Sequence, residues 1–195
     1  MIVAVVLSAG ASTRMGSPKA LLPVEGVPFI ERIVRALERA DVDKTLVVLG
    51  YNADAMREAI AYLGVDTVVN PDYARGQLSS LQTAIRALHG EAVEAILVHL
   101  VDHPFIESEV VNRMIGAFRA QAKLIVVPRF AGRRGHPVLF SSKLFPEFLA
   151  ASLETGAKPV VRGHPEETLE LETGEEGILI DIDTPEEYRK HVRSP

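Results

Sequence analysis

The sequence predicts an α/β fold of three layers, with helices on both faces of a mostly parallel sheet. Two observations predict it. Short apolar runs alternate with stretches of helical period along the chain. The runs are also apolar at nearly every position, as in strands buried on both faces. With 195 residues, 47% of them hydrophobic, the chain can close one substantial core, and 1–195 reads as a single domain.

The first strand is Ile2–Leu7. Ile30, Ile33, Val34 and Leu37 then recur at i, i+3, i+4 and i+7, a helix with one buried stripe. Thr45–Leu49 and Thr67–Val69 read as the next two strands, followed by a helix starting near Gln77 with Leu78, Leu81, Ile85 and Leu88 on one face. Ala95–Leu100 is a further strand. Val110, Val111, Met114, Ile115 and Phe118 mark a helix, and Leu124–Val127 the strand after it. The last helix has the clearest start: Thr184-Pro185-Glu186-Glu187 offers an N-cap threonine, proline at the first helical position and a capping-box glutamate. Ile178–Ile182 is therefore expected to be the strand that precedes it, and 156–177 is the least legible stretch.

Composition narrows the function classes. Twenty-one basic and 26 acidic residues give a net charge of −5 without a long basic run, which argues against a nucleic-acid partner. The absence of cysteine removes disulfides, thiolate ligands and a cysteine nucleophile. Ile2–Leu7 is too short to span a bilayer and has no basic leader, so a cytoplasmic protein without a membrane partner is expected.

In open α/β sheets ligands sit outside the carboxyl ends of the strands, so the polar residues after each run matter most. Leu7–Lys19 reads L-S-A-G-A-S-T-R-M-G-S-P-K. Glycines that admit backbone N–H groups to phosphate oxygens, with Arg14 and Lys19 as counter-charges, suit a polyphosphate. The loop is not a P-loop, since five residues separate Gly10 from Gly16 and Ser17-Pro18 precede Lys19. A dinucleotide fingerprint is also absent, and Pro18 and Pro23 oppose a helix at Gly16. A dinucleotide-dependent oxidoreductase would need that fingerprint. A non-catalytic nucleotide- or cofactor-binding module would keep the loop without turnover.

Asp102 follows the run Ala95–Leu100, and Asp181 and Asp183, two apart in an extended segment, point to one side. Transfer from a triphosphate needs a divalent ion, and Mg²⁺ takes one or two carboxylates with phosphate and water oxygens, so these aspartates are candidate ligands. Asn70–Leu81 is a turn-rich loop opening onto a helix, whose Ser79 and Ser80 also suit an ordinary first helical turn. Arg129–Phe140 holds three arginines, two glycines and a His-Pro pair, which suits an anionic acceptor or an exposed hairpin. His99, inside a strand, reads as a satisfied buried residue.

The opening loop resembles the signature of the molybdenum cofactor nucleotidylyltransferases (MobA/MocA-like), L-A-[AG]-G-x-S-x-R-M-G-x-x-K, within the Rossmann-like nucleotide-diphospho-sugar-transferase superfamily. Ser8 stands where the family usually has alanine, and Ala9 agrees with its cytidylyl branch. Three more segments are similar to family motifs: Asp102 in [GA]-D-x-P, Asp181–Glu187 in D-[IV]-D-T-P-E-[DE], and Asn70–Leu81 in N-P-x-[WY]-x-x-G-x-x-x-S-[LV]. Gly132–Pro137 resembles the cytidylyl branch's G-R-x-G-H-P. Val101 and His103 depart from the pattern, replacing a small residue and a glutamine.

The resemblance implies Mg²⁺-dependent transfer of a nucleoside monophosphate from CTP to the phosphate of a molybdopterin-type acceptor, with release of pyrophosphate. GTP or another phosphorylated acceptor stays open. Arg14, Lys19 and Asp102 are the implied catalytic residues, and Asp102, Asp181 and Asp183 the metal ligands. Leu7, Ser8, Ala9, Gly10, Ser12, Arg14, Lys19, Asn70, Gly76, Ser79 and Ser80 would bind the nucleotide, and Arg134, Gly135, His136 and Pro137 the acceptor. A molybdoenzyme or its maturation factor would receive the product.

Overall fold

The period-two geometry of a strand sends alternate residues to opposite faces, and in the first strand both faces are buried. The structure, a computed structural model, describes residues 1–12 and 15–192. Strand β1 (Ile2–Ser8) is followed by a small hairpin, β2 (Pro23–Val24) and β3 (Val27–Pro28), then α1 (Phe29–Glu38), β4 (Lys44–Leu49), α2 (Ala53–Ile60), β5 (Asp66–Val69) and α3 (Gln77–Ala87). Next come β6 (Ala95–Leu100), α4 (Ser108–Gln121), β7 (Ile125–Phe130), β8 (Arg133–Arg134), β9 (Val138–Ser141), α5 (Phe145–Ala150), α6 (Lys158–Gly163), β10 (Thr168–Glu172) and α7 (Pro185–His191).

Ile2, Ala4 and Val6 of β1 pack with Ile30, Ile33 and Leu37 of α1 and Met114 and Ile115 of α4. Val3 and Val5 face the other way, with Leu78, Leu81 and Ile85 of α3 and Phe148 of α5. Two apolar clusters on opposite faces of one sheet make the three expected layers. Among the described residues no helix is long and apolar enough to cross a membrane.

The main sheet runs β10-β7-β9-β6-β1-β4-β5, with β8 on β7. Pairs β6–β1, β1–β4, β4–β5 and β7–β10 are parallel, whereas β9 lies antiparallel between β6 and β7. Register levels the strand ends: Leu7 pairs with Leu100 on one side and Val48 on the other. The loops after β1, β4 and β6 therefore leave the sheet along one edge. Because β9 runs backwards, the loop entering it opens on that edge too.

One expected strand is absent. Ile178–Ile182 is not in the sheet: a 3₁₀ turn spans Glu176–Leu179 and the chain then runs without regular pairing to Thr184. Its hydrogen bonds go to two different loops, His136 N–H to Ile178 O (3.0 Å) and Ile182 N–H to Asp102 O (2.9 Å), so no ladder forms. The segment is apolar because Ile178 joins the α1–α4 core and Ile182 a small cluster with Val24 and Phe29. The strand beside β7 is β10, from the stretch that sequence left least legible.

Helix α7 starts as the sequence predicts. Thr184 Oγ1 accepts from Glu187 N–H (3.2 Å), and the Glu187 carboxylate accepts from the N–H groups of Thr184 and Asp183 (both 2.8 Å). The cap thus fixes Asp183 as well as the helix. Thr184→Ala is expected to lower unfolding free energy by about 1 kcal/mol, measurable by urea denaturation.

Candidate active site

At the levelled edge, the loops after β1, β4, β5 and β6 enclose a cavity of about 310 Å³. Leu7, Ser8, Ala9, Gly10, Ser12, Lys19, Gly76, Ser80 and Asp102 line it, as do Tyr51, Tyr73 and Gln77. The first loop is folded onto itself. Ser12, in the left-handed region at φ 50°, accepts Met15 N–H at its carbonyl (2.9 Å) and Lys19 N–H at Oγ (3.1 Å). That bond fixes the backbone of Lys19 at the start of a 3₁₀ turn, Lys19–Leu21. Arg14 lies outside the described residues.

The loop before α3 has its own scaffold. Asn70 is buried; its Nδ2 donates to Ser79 Oγ (2.8 Å) and Ser80 Oγ (3.0 Å), and its Oδ1 accepts from Asp72 N–H (2.9 Å). Ser79 Oγ donates to the carbonyls of Asp72 and Gly76. Asn70 and Ser79 thus shape the loop from behind, while Gly76 and Ser80 face the cavity. Gly76, at φ 99°, adopts the left-handed backbone that admits the chain to α3.

Sequence reasoning missed Gly50 and the two tyrosines. A Cβ on Gly50 would stand 2.6 Å from both Ala9 O and Tyr73 Cβ, so only glycine lets the loops after β1 and β5 meet there. Tyr51 N–H donates to Ala9 O (3.0 Å), and the Tyr51 and Tyr73 rings meet edge to face at 6.3 Å. The available signal was a glycine and an aromatic directly after the apolar run Thr45–Leu49.

At one end of the cavity the ammonium of Lys19 lies 3.5 Å from Asp102 Oδ2 and against Asp183 Oδ1. Burial pushes the Asp102 carboxyl above the usual carboxylate range; Lys19 opposes the rise and Asp183 adds to it. Asp102 Oδ1 is buried without a hydrogen-bond partner among the described residues, and His103 Nε2 lies 3.8 Å from it. Asp181 is exposed and apart from this group, and its charge acts on His103 and His136 instead. Among the described residues no three histidines or carboxylates form a metal-binding cluster. Asp102 and Asp183 are two hard oxygen donors, the number Mg²⁺ takes when phosphate and water supply the rest.

Beyond Asp102, the buried imidazoles of His99 and His103 and the half-buried one of His136 run toward the loop that enters β9. Ring centroids of His99 and His103 are 6.2 Å apart, and those of His103 and His136 4.9 Å. His99 Nε2 meets His103 O at 2.8 Å. Burial pushes His99 down to about 3 and His136 to about 4, and lowers His103, so all three are neutral at physiological pH. Gly135 N–H donates to Pro128 O (2.9 Å), and His136-Pro137 is a cis peptide. Arg134 is exposed on β8 and does not line the cavity; its Nε donates to Glu170 Oε1 (2.8 Å).

Comparison with known proteins identifies the family. The chain is 32% identical over 197 residues to nicotine blue oxidoreductase of Paenarthrobacter nicotinovorans, covering 96% of this chain and 95% of that one. It is 29% identical over 186 residues to molybdenum cofactor cytidylyltransferase of Escherichia coli K12, with coverage of 94% and 92%. The crystal structure of Rv0371c from Mycobacterium tuberculosis superposes with a TM-score of 0.85 at 33% identity, covering 99% and 97%. Its manganese complex gives 0.81 at 31% identity, with coverage of 100% and 99%. The MobA-like NTP transferase domain matches residues 4–169. The chain therefore belongs to the MobA-like NTP transferase family and is a nucleotidyltransferase.

Proposed function

We propose that the protein transfers the cytidylyl group of CTP to the phosphate of a molybdopterin-type acceptor, in the cytoplasm, and passes the product to a molybdoenzyme or its maturation factor. The observation that carries this reading is the meeting of Lys19, Asp102 and Asp183 at one end of a cavity walled by the glycine-containing first loop. Ala9 and Gly135-His136-Pro137 support cytidine over guanosine, as does similarity to an enzyme named molybdenum cofactor cytidylyltransferase.

An acceptor phosphate oxygen attacks the α-phosphorus in line; the bond from that phosphorus to the α,β-bridging oxygen breaks, and pyrophosphate leaves. The acceptor is already anionic, so no protein base is needed. Positioning and charge neutralisation are what the protein supplies. Lys19, with Arg14, holds the triphosphate and stabilises the departing pyrophosphate. Asp102 and Asp183 would hold Mg²⁺, which would neutralise charge on the phosphates. Asp102 Oδ1, without a hydrogen-bond partner among the described residues, and the all-oxygen donor pair fit such an ion, and the manganese complex of Rv0371c supports a divalent metal in the family. Leu7–Gly10, Ser12, Gly76 and Ser80 contact the nucleotide, with Asn70 and Ser79 keeping their loop in shape. Gly135, His136 and Pro137 form the acceptor wall and Arg134 its charged rim.

A pyrophosphate-release assay with CTP, GTP, ATP and UTP, molybdenum cofactor and Mg²⁺ tests this. CTP is expected to be used preferentially. Preference for GTP would remove the cytidylyl assignment and leave the transferase chemistry in place. One relative's oxidoreductase name keeps open a second reading, a dinucleotide-dependent oxidoreductase, against which the missing glycine fingerprint stands. Oxidation of a nicotinamide dinucleotide by the protein, without pyrophosphate release from any nucleotide, would decide for it.

A further inference from the structure

Two features of Lys19 pull in different directions. Its backbone is fixed by the Ser12 Oγ bond at the mouth of the phosphate loop, where its charge suits a triphosphate. Its ammonium nevertheless lies between the two carboxylates assigned to the metal, touching Asp183 Oδ1 and 3.5 Å from Asp102 Oδ2. A divalent ion drawn to the same carboxylates would meet an ammonium already held against them, and the two positive charges would repel.

We propose that Lys19 is a resident counter-cation of the Asp102–Asp183 pair and opposes the binding of free divalent ions until a nucleoside triphosphate draws it away. The inference rests on Asp102 and Asp183 being the metal ligands. Asp102 is half-buried beside a second carboxylate, and a positive charge between them relieves the repulsion. The Lys19 side chain is only 11% exposed, so the ammonium is held in the site and not screened at the surface. An arriving triphosphate offers several anionic oxygens to the same ammonium. With its backbone held, the side chain needs only to turn about its own bonds to exchange carboxylates for phosphates. Each carboxylate is released as the metal arrives with the nucleotide. Metal and nucleotide then load together, and Lys19 has two successive partners instead of one.

The test reads metal binding directly. Mn²⁺ binding to the full chain is followed by loss of the free-ion EPR signal, with and without the α,β-methylene analogue of CTP. The wild type is expected to bind Mn²⁺ weakly alone and much more tightly with the nucleotide. K19Q and K19M remove the charge, and K19M keeps the buried stem. Both are expected to bind nucleotide-free Mn²⁺ about tenfold tighter than wild type or more. Adding D183N to K19M is expected to cancel that gain. Nucleotide-free affinity in K19Q and K19M no higher than in wild type would overturn the inference, as would equal wild-type affinity with and without the nucleotide. Pyrophosphate release from the same wild-type sample tests the proposed function separately. If no acceptor supports release while the Mn²⁺ pattern holds, the transfer assignment fails and the role of Lys19 stands.

Discussion

Asp102→Asn is expected to reduce Mg²⁺-dependent pyrophosphate release by about 10³-fold without weakening the fold, since the proposed metal ligand is lost while shape is kept. The stability half of this result follows from the site's electrostatics. Burial raises the Asp102 carboxyl above its ordinary range. A carboxyl whose pKa is higher folded than unfolded binds its proton more tightly in the native state, so its ionised form costs stability above the unfolded pKa. Asparagine removes that cost. At neutral pH the thermal midpoint should match or exceed that of the wild type, and activity alone should fall. Turnover undiminished in folded Asp102→Asn would refute the metal role. A fall in both would show that Asp102 serves the fold first.

The second large effect is expected at Gly135. A Cβ there would lie 2.4 Å from Ile178 O and 2.8 Å from Ile178 C, both backbone atoms that cannot rotate away. Gly135→Ala should therefore force apart the β9 entry loop and the segment before α7, at a cost of about 2–3 kcal/mol. The displacement has a direction. Ile178 O also accepts from His136 N–H, and four residues on, Ile182 N–H binds Asp102 O. Separation at Gly135 therefore pulls on the junction of Asp102 and Asp183. Chemical denaturation should show the lost stability, and steady-state kinetics a higher KM for the acceptor together with a lower kcat. A normal kcat with KM alone affected would confine the disturbance to the acceptor wall.

What sequence made legible follows from where local chemistry decides structure. The loop Leu7–Lys19 is readable because glycines, hydroxyls and a lysine after a buried strand have few other uses. The start of α7 is readable because Thr184, Pro185 and Glu187 form a self-contained cap. The apolar segment Ile178–Ile182 misleads because apolarity reports burial, and burial against Phe29 and Val24 looks the same in one dimension as burial in a sheet. Strand β10, Thr-Leu-Glu-Leu-Glu, is hard to see for the opposite reason. It is an edge strand, and Glu170 pairs with Arg129 and Arg134 instead of signalling a core. Asp181 and Asp183 share a side only if the segment is a strand. Without the strand, Asp183 meets Lys19 and Asp181 lies toward the histidines. The file of His99, His103 and His136 was equally hidden, because the contact depends on β9 lying beside β6.

The reversed strand β9 also bears on how such an enzyme can change. The parallel strands β1, β4, β5 and β6 build the nucleotide side, and their connections are committed to helices that cover the sheet. The link from β7 to β9 carries no helix and joins neighbouring antiparallel strands. Doubling the length of such a loop adds only about 0.6 kcal/mol of closure entropy. Residues inserted after Phe130 would emerge beside the proposed acceptor wall and leave every ladder among β1, β4, β5 and β6 untouched. A lineage could thus exchange one acceptor for another by rewriting a single hairpin while inheriting its nucleotide chemistry intact.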